Sequence, residues 1–399
     1  MKAKVIGAMA AVLLAGWMVG TARADFTLTG SQELTVDTYQ WQGWLFQQSK
    51  VTVLYRMNIL NAFDSSSVTV NGLVGDTRHA ESVNYLYAAG SSTIDIIGGS
   101  VGYLNARDSS AVNLSGGSVG YIAAEDVHYS LDATDSSTVN FFSGGSASDV
   151  NAYKTSTVNF SGGSAGYLNA RNSSTVNFSV GSVSYLNAYD SSSVDITGGY
   201  VSYLDAYGSS TVNISGERVS QQFIAHDSST VNMSGGLVSR LYATGSGTVN
   251  FSGGSAGNIS ANTTSTVNIS GGSVRYLAAN GTSAVNISGG SVGHLAGDGA
   301  YGLYSCDSST ISLHGQDFII VTGLSLDGDK VLGTGILSGK WLDGTPWTVN
   351  IMQNDPGATI LAIPEPATLS LLALLALSLP KRGGLALLRS PRRPTAGRL

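Results

Sequence analysis

The 399-residue chain contains one cysteine, Cys306, so no disulfide within the molecule can brace it. Its seven prolines all lie at Pro346 or later. Every earlier residue thus keeps its backbone N–H, as uninterrupted strand ladders require. Tryptophan occurs at 17, 41, 44, 341 and 347, which leaves the long middle of the chain without an indole and suits a thin core of Val, Ile, Leu and Ala. Charged residues make up 12% of the chain and are scattered, a poor basis for a convergent catalytic centre. No apolar run reaches the ~20 residues a membrane-spanning helix needs.

What is present is a repeat. The branched residue in segments such as Ser-Ser-Thr-Val-Asn-Ile-Ser-Gly-Gly recurs at Val68, Ile94, Val112, Val139, Val158, Val176, Val194, Val212, Val231, Val249, Val267, Val285 and Ile311. From Val139 to Val285 the steps are 18 or 19 residues; three longer steps of 26 or 27 carry insertions. In one unit, Gly199 to Gly216, Val212 and Ile214 share a strand face with Thr211, Asn213 and Ser215 on the other. Leu204 and Ala206 repeat that logic, with Tyr203 and Asp205 outward. Neither run buries its apolar face alone, but stacked units build one continuous core. The Ser, Gly and β-branched content opposes a helix. The expected fold is all-β, a parallel β-helix (β-solenoid) of about thirteen 18-residue coils over residues 56–311, a rod on the order of 60 Å long. Residues 25–55 are expected as an N-terminal cap, 312–353 as a C-terminal β cap and 354–363 as a linker. In the C-terminal cap, 318–321 and 347–351 read as strands and Asp343-Gly344 as a turn.

The ends carry different information. Lys2 and Lys4, an apolar stretch from Val5 to Val19 and small residues up to Ala24 read as a signal peptide over 1–24, removed by signal peptidase to leave a chain starting near Asp25. At the other end Pro364-Glu365-Pro366 is followed by an apolar run from Leu369 to Leu379, Pro380 and Lys381-Arg382. This order resembles the PEP-CTERM sorting signals of bacterial exported proteins, over residues 364–393. The resemblance implies recognition by a membrane-embedded exosortase, processing near the motif, and a membrane tether that is transient and confined to the tail. Pro380 and the long tail after Arg382 depart from the usual compact ending. Nine of the 20 Lys and Arg, but one of the 26 Asp and Glu, fall outside residues 25–363, so the processed body carries roughly −14. That charge disfavours nucleic acid as a partner.

Three places could hold chemistry. The first two insertions bring Arg78, His79 and Glu81, and Glu125, Asp126 and His128, to loops about two coils apart. They are the candidate ligand cluster, although their spacing fits no metal or paired-carboxylate rule and solvated loop residues are the favoured account. An outward Asn row at 113, 140, 159, 177, 213, 232, 250, 268 and 286 reads as an axial amide ladder. With its Thr and Ser neighbours it also makes a flat polar face that resembles, in plan, those of ice-binding solenoids. A Tyr row at 103, 121, 167, 185, 203 and 276 reads as a stiffening ladder or as a surface for sugar rings. Asp108, Asp135, Asp190 and Asp227 read as turn formers. No metal site and no cofactor is expected.

The function expected from these features is a non-enzymatic extracellular or cell-surface rod, structural or adhesive, associated with biofilm or exopolysaccharide. Its architecture and low charge resemble bacterial adhesins and autotransporter passengers, without a translocating barrel. The alternatives are a carbohydrate-binding or polysaccharide-degrading β-helix and, third, an ice-binding solenoid.

Overall fold

A computed structural model describes residues 25–37, 39–71, 82–120, 130–216, 220–293 and 302–364, and every regular element in them is a β-strand. The chain is a parallel β-helix. The thirteen branched residues from Val68 to Ile311 form one unbroken column, each paired in register with its counterpart one coil away. A second column runs through the Tyr-Leu-Asn-Ala segments, for example Leu168, Leu186 and Leu204. Each coil therefore stacks like residues on like residues, and the inward ones, Val212, Leu204 and Ala206 among them, are fully buried.

The core is wider than a purely aliphatic one. Phe141, Phe160 and Phe178 occupy the second inward position of successive Thr-Val-Asn strands and are fully buried, with ring centroids 4.2 and 5.4 Å apart. Phe251 is buried at the same position, and Phe223 is buried in the other column, between Leu204 and Leu241. Gly199 shows what this demands of the next corner. It has φ +78°, and a Cβ there would fall 2.5 Å from the Phe178 ring, so both backbone conformation and space require glycine.

The corner before each Thr-Val-Asn strand explains the recurrent Asp-Ser-Ser. Asp64, Asp108, Asp135, Asp190, Asp227 and Asp307 all adopt the left-handed conformation, with φ between 52° and 59°. This placement costs a non-glycine residue about 1–2 kcal/mol. The offset is visible in the side chains. The carboxylate of Asp108 accepts the backbone N–H of Gly90, that of Asp190 the N–H of Asn172, and that of Asp307 the N–H of Gly281, at 2.9, 2.9 and 3.0 Å. Each corner thus ties down the same corner of the preceding coil. The serine two positions further on points inward and is buried, and in Ser229, Ser265 and Ser283 its hydroxyl donates to an alanine carbonyl of the coil before. The acids expected as turn formers have that role.

The two ends differ from expectation. Residues 25–53 are not a separate cap but continue the coil with a period of 17. Strand Asp25–Leu28 lies on Gln40–Leu45, and Glu33–Val36 lies on Lys50–Val53, both in parallel. At the other end the coil pauses while Thr310–Asp327 and Lys330–Lys340 run antiparallel, and Pro346–Asn354 both joins that sheet and lies in parallel on the coil strand Leu303–Ser305. The segments expected as strands around 318–321 and 347–351 lie in it, and Asp343-Gly344 turns between them, with the Thr345 N–H donating to Asp343 Oδ1 at 2.8 Å. Trp341 and Trp347 stack at 4.8 Å between sheet and coils, and the Trp341 indole donates to Gly290 O at 2.8 Å. The coil then resumes. Thr359–Pro364, which takes in the second half of the stretch expected as a linker and the first residue of the expected sorting signal, pairs in parallel with Thr310–Gly315 and buries Ile360.

Substitutions at two positions test this account. Phe160→Ala should cost about 3–5 kcal/mol by leaving a cavity inside the phenyl stack. Asp190→Ala should cost about 1–2 kcal/mol, because it removes the acceptor but keeps the left-handed strain, while Asp190→Asn, the residue found at position 172, should restore most of the loss. Urea unfolding of the variants reads both.

Candidate functional site

The loops that carry Arg78, His79, Glu81, Glu125, Asp126 and His128 lie outside the described residues, as does Tyr121. Their stems are described. The first insertion returns at Ser82, which follows a Thr-Val-type strand and shares a column with Ser100 and Ser118. The second leaves after Gly120, just past the paired Ser118–Val119. The two stems therefore flank the same short Ser-Val run, two coils apart. The third insertion leaves after Gly293, at the equivalent place near the far end of the rod.

A polar network fills the base of the second insertion. Asp132 accepts hydrogen bonds from the Tyr103 hydroxyl at 2.9 Å, the Ser130 hydroxyl at 3.0 Å and the Asn151 amide at 2.9 Å. The Asn105 amide in turn donates to the Tyr103 oxygen at 3.0 Å, and Arg107 Nε donates to Asn105 Oδ1 at 2.6 Å. Burial, reinforced by the Asp132 carboxylate, pushes the Tyr103 hydroxyl up to about 12. It is held as a donor at physiological pH, and the network reads as a clamp on the loop stem. Sequence reasoning saw Tyr103 only as a member of a row; Asp132 and Arg107 carried no signal of their own.

Two outward faces run the length of the coils. On the first, the expected Asn row is a directional ladder: each amide donates to Oδ1 of the residue one coil earlier, at 2.8–2.9 Å from Asn113 to Asn140, Asn159 and Asn177. The same pattern runs from Asn213 through Asn232, Asn250 and Asn268 to Asn286. Each run starts on a carboxylate, Asp95 for the first and Asp195 for the second, which accepts from Asn113 and Asn213 at 2.8 and 2.7 Å. Asp suits that place because the first member needs only to accept. Beside the ladder the hydroxyls of Ser161, Ser179 and Ser252 donate to backbone carbonyls of the preceding coil. Much of this face is thus committed to bonds along the axis.

The second face bears three columns side by side. Tyr167, Tyr185 and Tyr203 stack with centroids 4.8 and 5.1 Å apart and nearly parallel planes. Asn169 and Asn187 extend a ladder that starts on Asp132 through Asn151. Tyr189, Tyr207 and His226 stack at 5.1 and 4.4 Å, and the Arg171 guanidinium lies 4.5 Å from the centre of the Tyr189 ring. The ring faces meet one another, so the plate presents mainly ring edges and hydroxyls to solvent. Stacking on a sugar ring is left to the free face of a terminal ring.

Both ladders fail at one coil. Asp195 follows Asn177 on the first face and Asp205 follows Asn187 on the second. In each case an amide oxygen already oriented as an acceptor meets a carboxylate, which has no proton to give when ionised. On the first face the junction is marked by a shallow depression of about 380 Å³ lined by Asn177, Ser179, Asp195, Thr197, Asn213 and Ser215. On the second, burial holds the Asp205 carboxyl above the usual range, although His226 Nε2 lies 3.8 Å away and opposes the shift. Among the described residues no group of three or more His, Cys, Asp or Glu is placed to hold a metal ion.

Comparison with protein-family models, with curated proteins and with solved structures gave no match.

The junction is testable. Asp195→Asn restores an amide that donates to Asn177 and accepts from Asn213, and should stabilise the rod by about 1 kcal/mol. At Asp205 the folded state favours the protonated form, so its contribution is fully present below the unfolded value near 4 and is lost as pH rises through the raised folded value. Asp205→Asn should therefore raise the thermal midpoint over the parent at pH 7, an advantage that shrinks to nothing below about pH 4.

Proposed function

We propose that this chain is a non-enzymatic rod outside the cytoplasm, at the cell surface or in the surrounding matrix, with a structural or adhesive role. The observation that carries the reading is the axial commitment of its polar side chains: amides, serine hydroxyls and corner carboxylates bond from coil to coil rather than converging on a point. Such a lattice makes a stiff element with a repetitive exterior. The export reading rests on the residues at the two ends, the apolar leader over 1–24 and the resemblance of 364–393 to an exosortase-read tail. Pro364, the first residue of that motif, closes the last strand opposite Gly315, while Glu365 and Pro366 lie outside the described residues. Processing near the motif would release the rod at the edge of its final coil.

Expression in a bacterium with an exosortase, and in the same strain lacking it, tests this reading. The parent protein should reach the surface or medium without its tail. Loss of the exosortase, or replacement of Pro364-Glu365-Pro366 by alanines, should leave at least a tenfold larger share in the membrane fraction. A chain that stays in the cytoplasm with both ends intact would sink the proposal.

A second reading, binding of an exopolysaccharide, is favoured by the Tyr plate, whose ring edges and hydroxyls form an exposed strip three coils long. Co-sedimentation with insoluble polysaccharides should then drop several-fold on Tyr185→Ala at a temperature where the variant stays folded; equal retention would leave the plate as a stiffening element.

A further inference from the structure

The two ends of the rod are not equivalent, and the difference points to a partner. At the C-terminal end the last coil is covered. Strand Lys330–Lys340 crosses both of its strands in antiparallel, pairing Val331 with Ile360 and Leu337 with Val349. The Ala362 N–H donates to Asp329 O at 2.7 Å, and the Asn354 amide donates to Val331 O at 2.9 Å. No further parallel coil fits there. At the N-terminal end Asp25–Leu28 and Glu33–Val36 have partners on one side only among the described residues.

Which groups are left over follows from the hydrogen bonds that are made. Leu28 O accepts from Phe46, Gln32 O from Lys50 and Val36 O from Leu54, so Phe26, Leu28, Leu34 and Val36 turn their backbone groups toward the rod. The N–H and C=O of Asp25, Thr27, Glu33 and Thr35 therefore point off its end. Inside this rim Phe26, Leu28 and Leu34 are only partly buried, an open cross-section of the core. Natural sheets blunt such an edge with charged side chains, lysine above all, with proline or with a covering segment, and here each strand carries a single acid, Asp25 or Glu33. Neither strand contains lysine or proline.

We infer that this end binds the same end of a second copy, joining two rods head to head about a two-fold axis. A head-to-tail filament is barred by Lys330–Lys340. The open edge, in contrast, is self-complementary. Antiparallel pairing centred on Phe26 and Leu34 sets Asp25 opposite Thr27 of the second copy and Glu33 opposite Thr35, so no carboxylate faces another. The outward N–H and C=O groups are then exchanged pairwise, while Phe26 meets Phe26 and Leu34 meets Leu34 across the axis and the core runs on unbroken. The result is a rod of double length with a covered C-terminal sheet and a sorting tail at each extremity. This rests on the export reading, since it requires removal of residues 1–24.

Sedimentation velocity on the exported protein, with its N-terminus read by mass spectrometry, tests the inference. A chain starting near Asp25 should sediment as a dimer at micromolar concentration and show, by electron microscopy, rods twice the length of the monomer. Thr27→Pro with Thr35→Pro removes two outward N–H groups that no bond within the chain uses. It should weaken dimerisation at least tenfold and leave the thermal midpoint of the monomer unchanged. A cleaved chain that stays monomeric up to about 100 µM overturns the inference, as do a dimer that survives both prolines and an exported chain that keeps residues 1–24. Surface retention of the protein plays no part in these readouts, so a monomer here is distinct from a failure of the functional proposal.

Discussion

Everything in this molecule depends on the in-register stacking of one coil on the next at the spacing of hydrogen-bonded parallel strands. That spacing is set by the backbone, but it fixes what the side chains can do. A residue repeated once per coil meets its own copy at just under 5 Å, the distance at which an amide can hand a hydrogen bond to an amide and a ring can lie on a ring. The Asn ladders, the Tyr and Phe stacks and the Asp corners are four uses of one geometry. None would form in a fold whose neighbouring strands are unrelated in sequence. The repeat is thus more than a record of duplication, since identity between coils is itself the source of the contacts.

The same constraint explains where the structure is weak. A ladder of amides has a direction, with donors toward the N-terminal end and acceptors toward the other. It can start on a carboxylate at no loss, as at Asp95 and Asp132, but a carboxylate met in mid-course interrupts it. The coil holding Asp195 and Asp205 interrupts the first-face ladder and ends the second, where Ile224 takes the next place in the column. It divides the first-face amides into separately polarised runs, and local opening is expected to start from such a seam rather than from the uniform stretches on either side.

The body of the fold was legible in the sequence because the signal was redundant. A β-branched residue every 18 positions, with Asn after it and Gly-Gly beyond, is repeated often enough to fix strand, face and register together. The misread parts carry the signal once. Glu33 to Val36 and Lys50 to Val53 coil with a period of 17 and hold Thr where later coils hold Asn, so they fell outside the pattern and read as a cap. Thr359 to Pro364 follows the antiparallel excursion, so its Thr-Ile pair stands 49 residues from the copy at Thr310-Ile311 on which it stacks, far from the 18-residue step. The phenyl stack was missed for a different reason. Phe alternates with Ile, Leu and Met in its column, and only the stacked rings show that the core has room for it. At the candidate sites the residue types were visible, but the meaning of Asp195 and Asp205 lay in the orientation of the amides before them, which sequence does not encode. The loops with Arg78 and Glu125 lie outside the described residues, and their stems flank one Ser-Val run two coils apart.

A rod of stacked coils must also end, and each end is a choice between covering the last strands and leaving them to something else. This chain commits about thirty residues, two buried tryptophans and an antiparallel strand to covering one end. It commits nothing comparable among its described residues to the other. An uncovered pair of strands with a half-open core is a liability in a protein at high local concentration unless a defined surface meets it. The arrangement of acids and threonines along that edge, with no like charges brought opposite by two-fold pairing, makes another copy of the same edge the surface that satisfies it best. The asymmetry between the ends then has one physical origin: the covered end stops growth of the ladder, and the open end is completed by symmetry rather than by more chain.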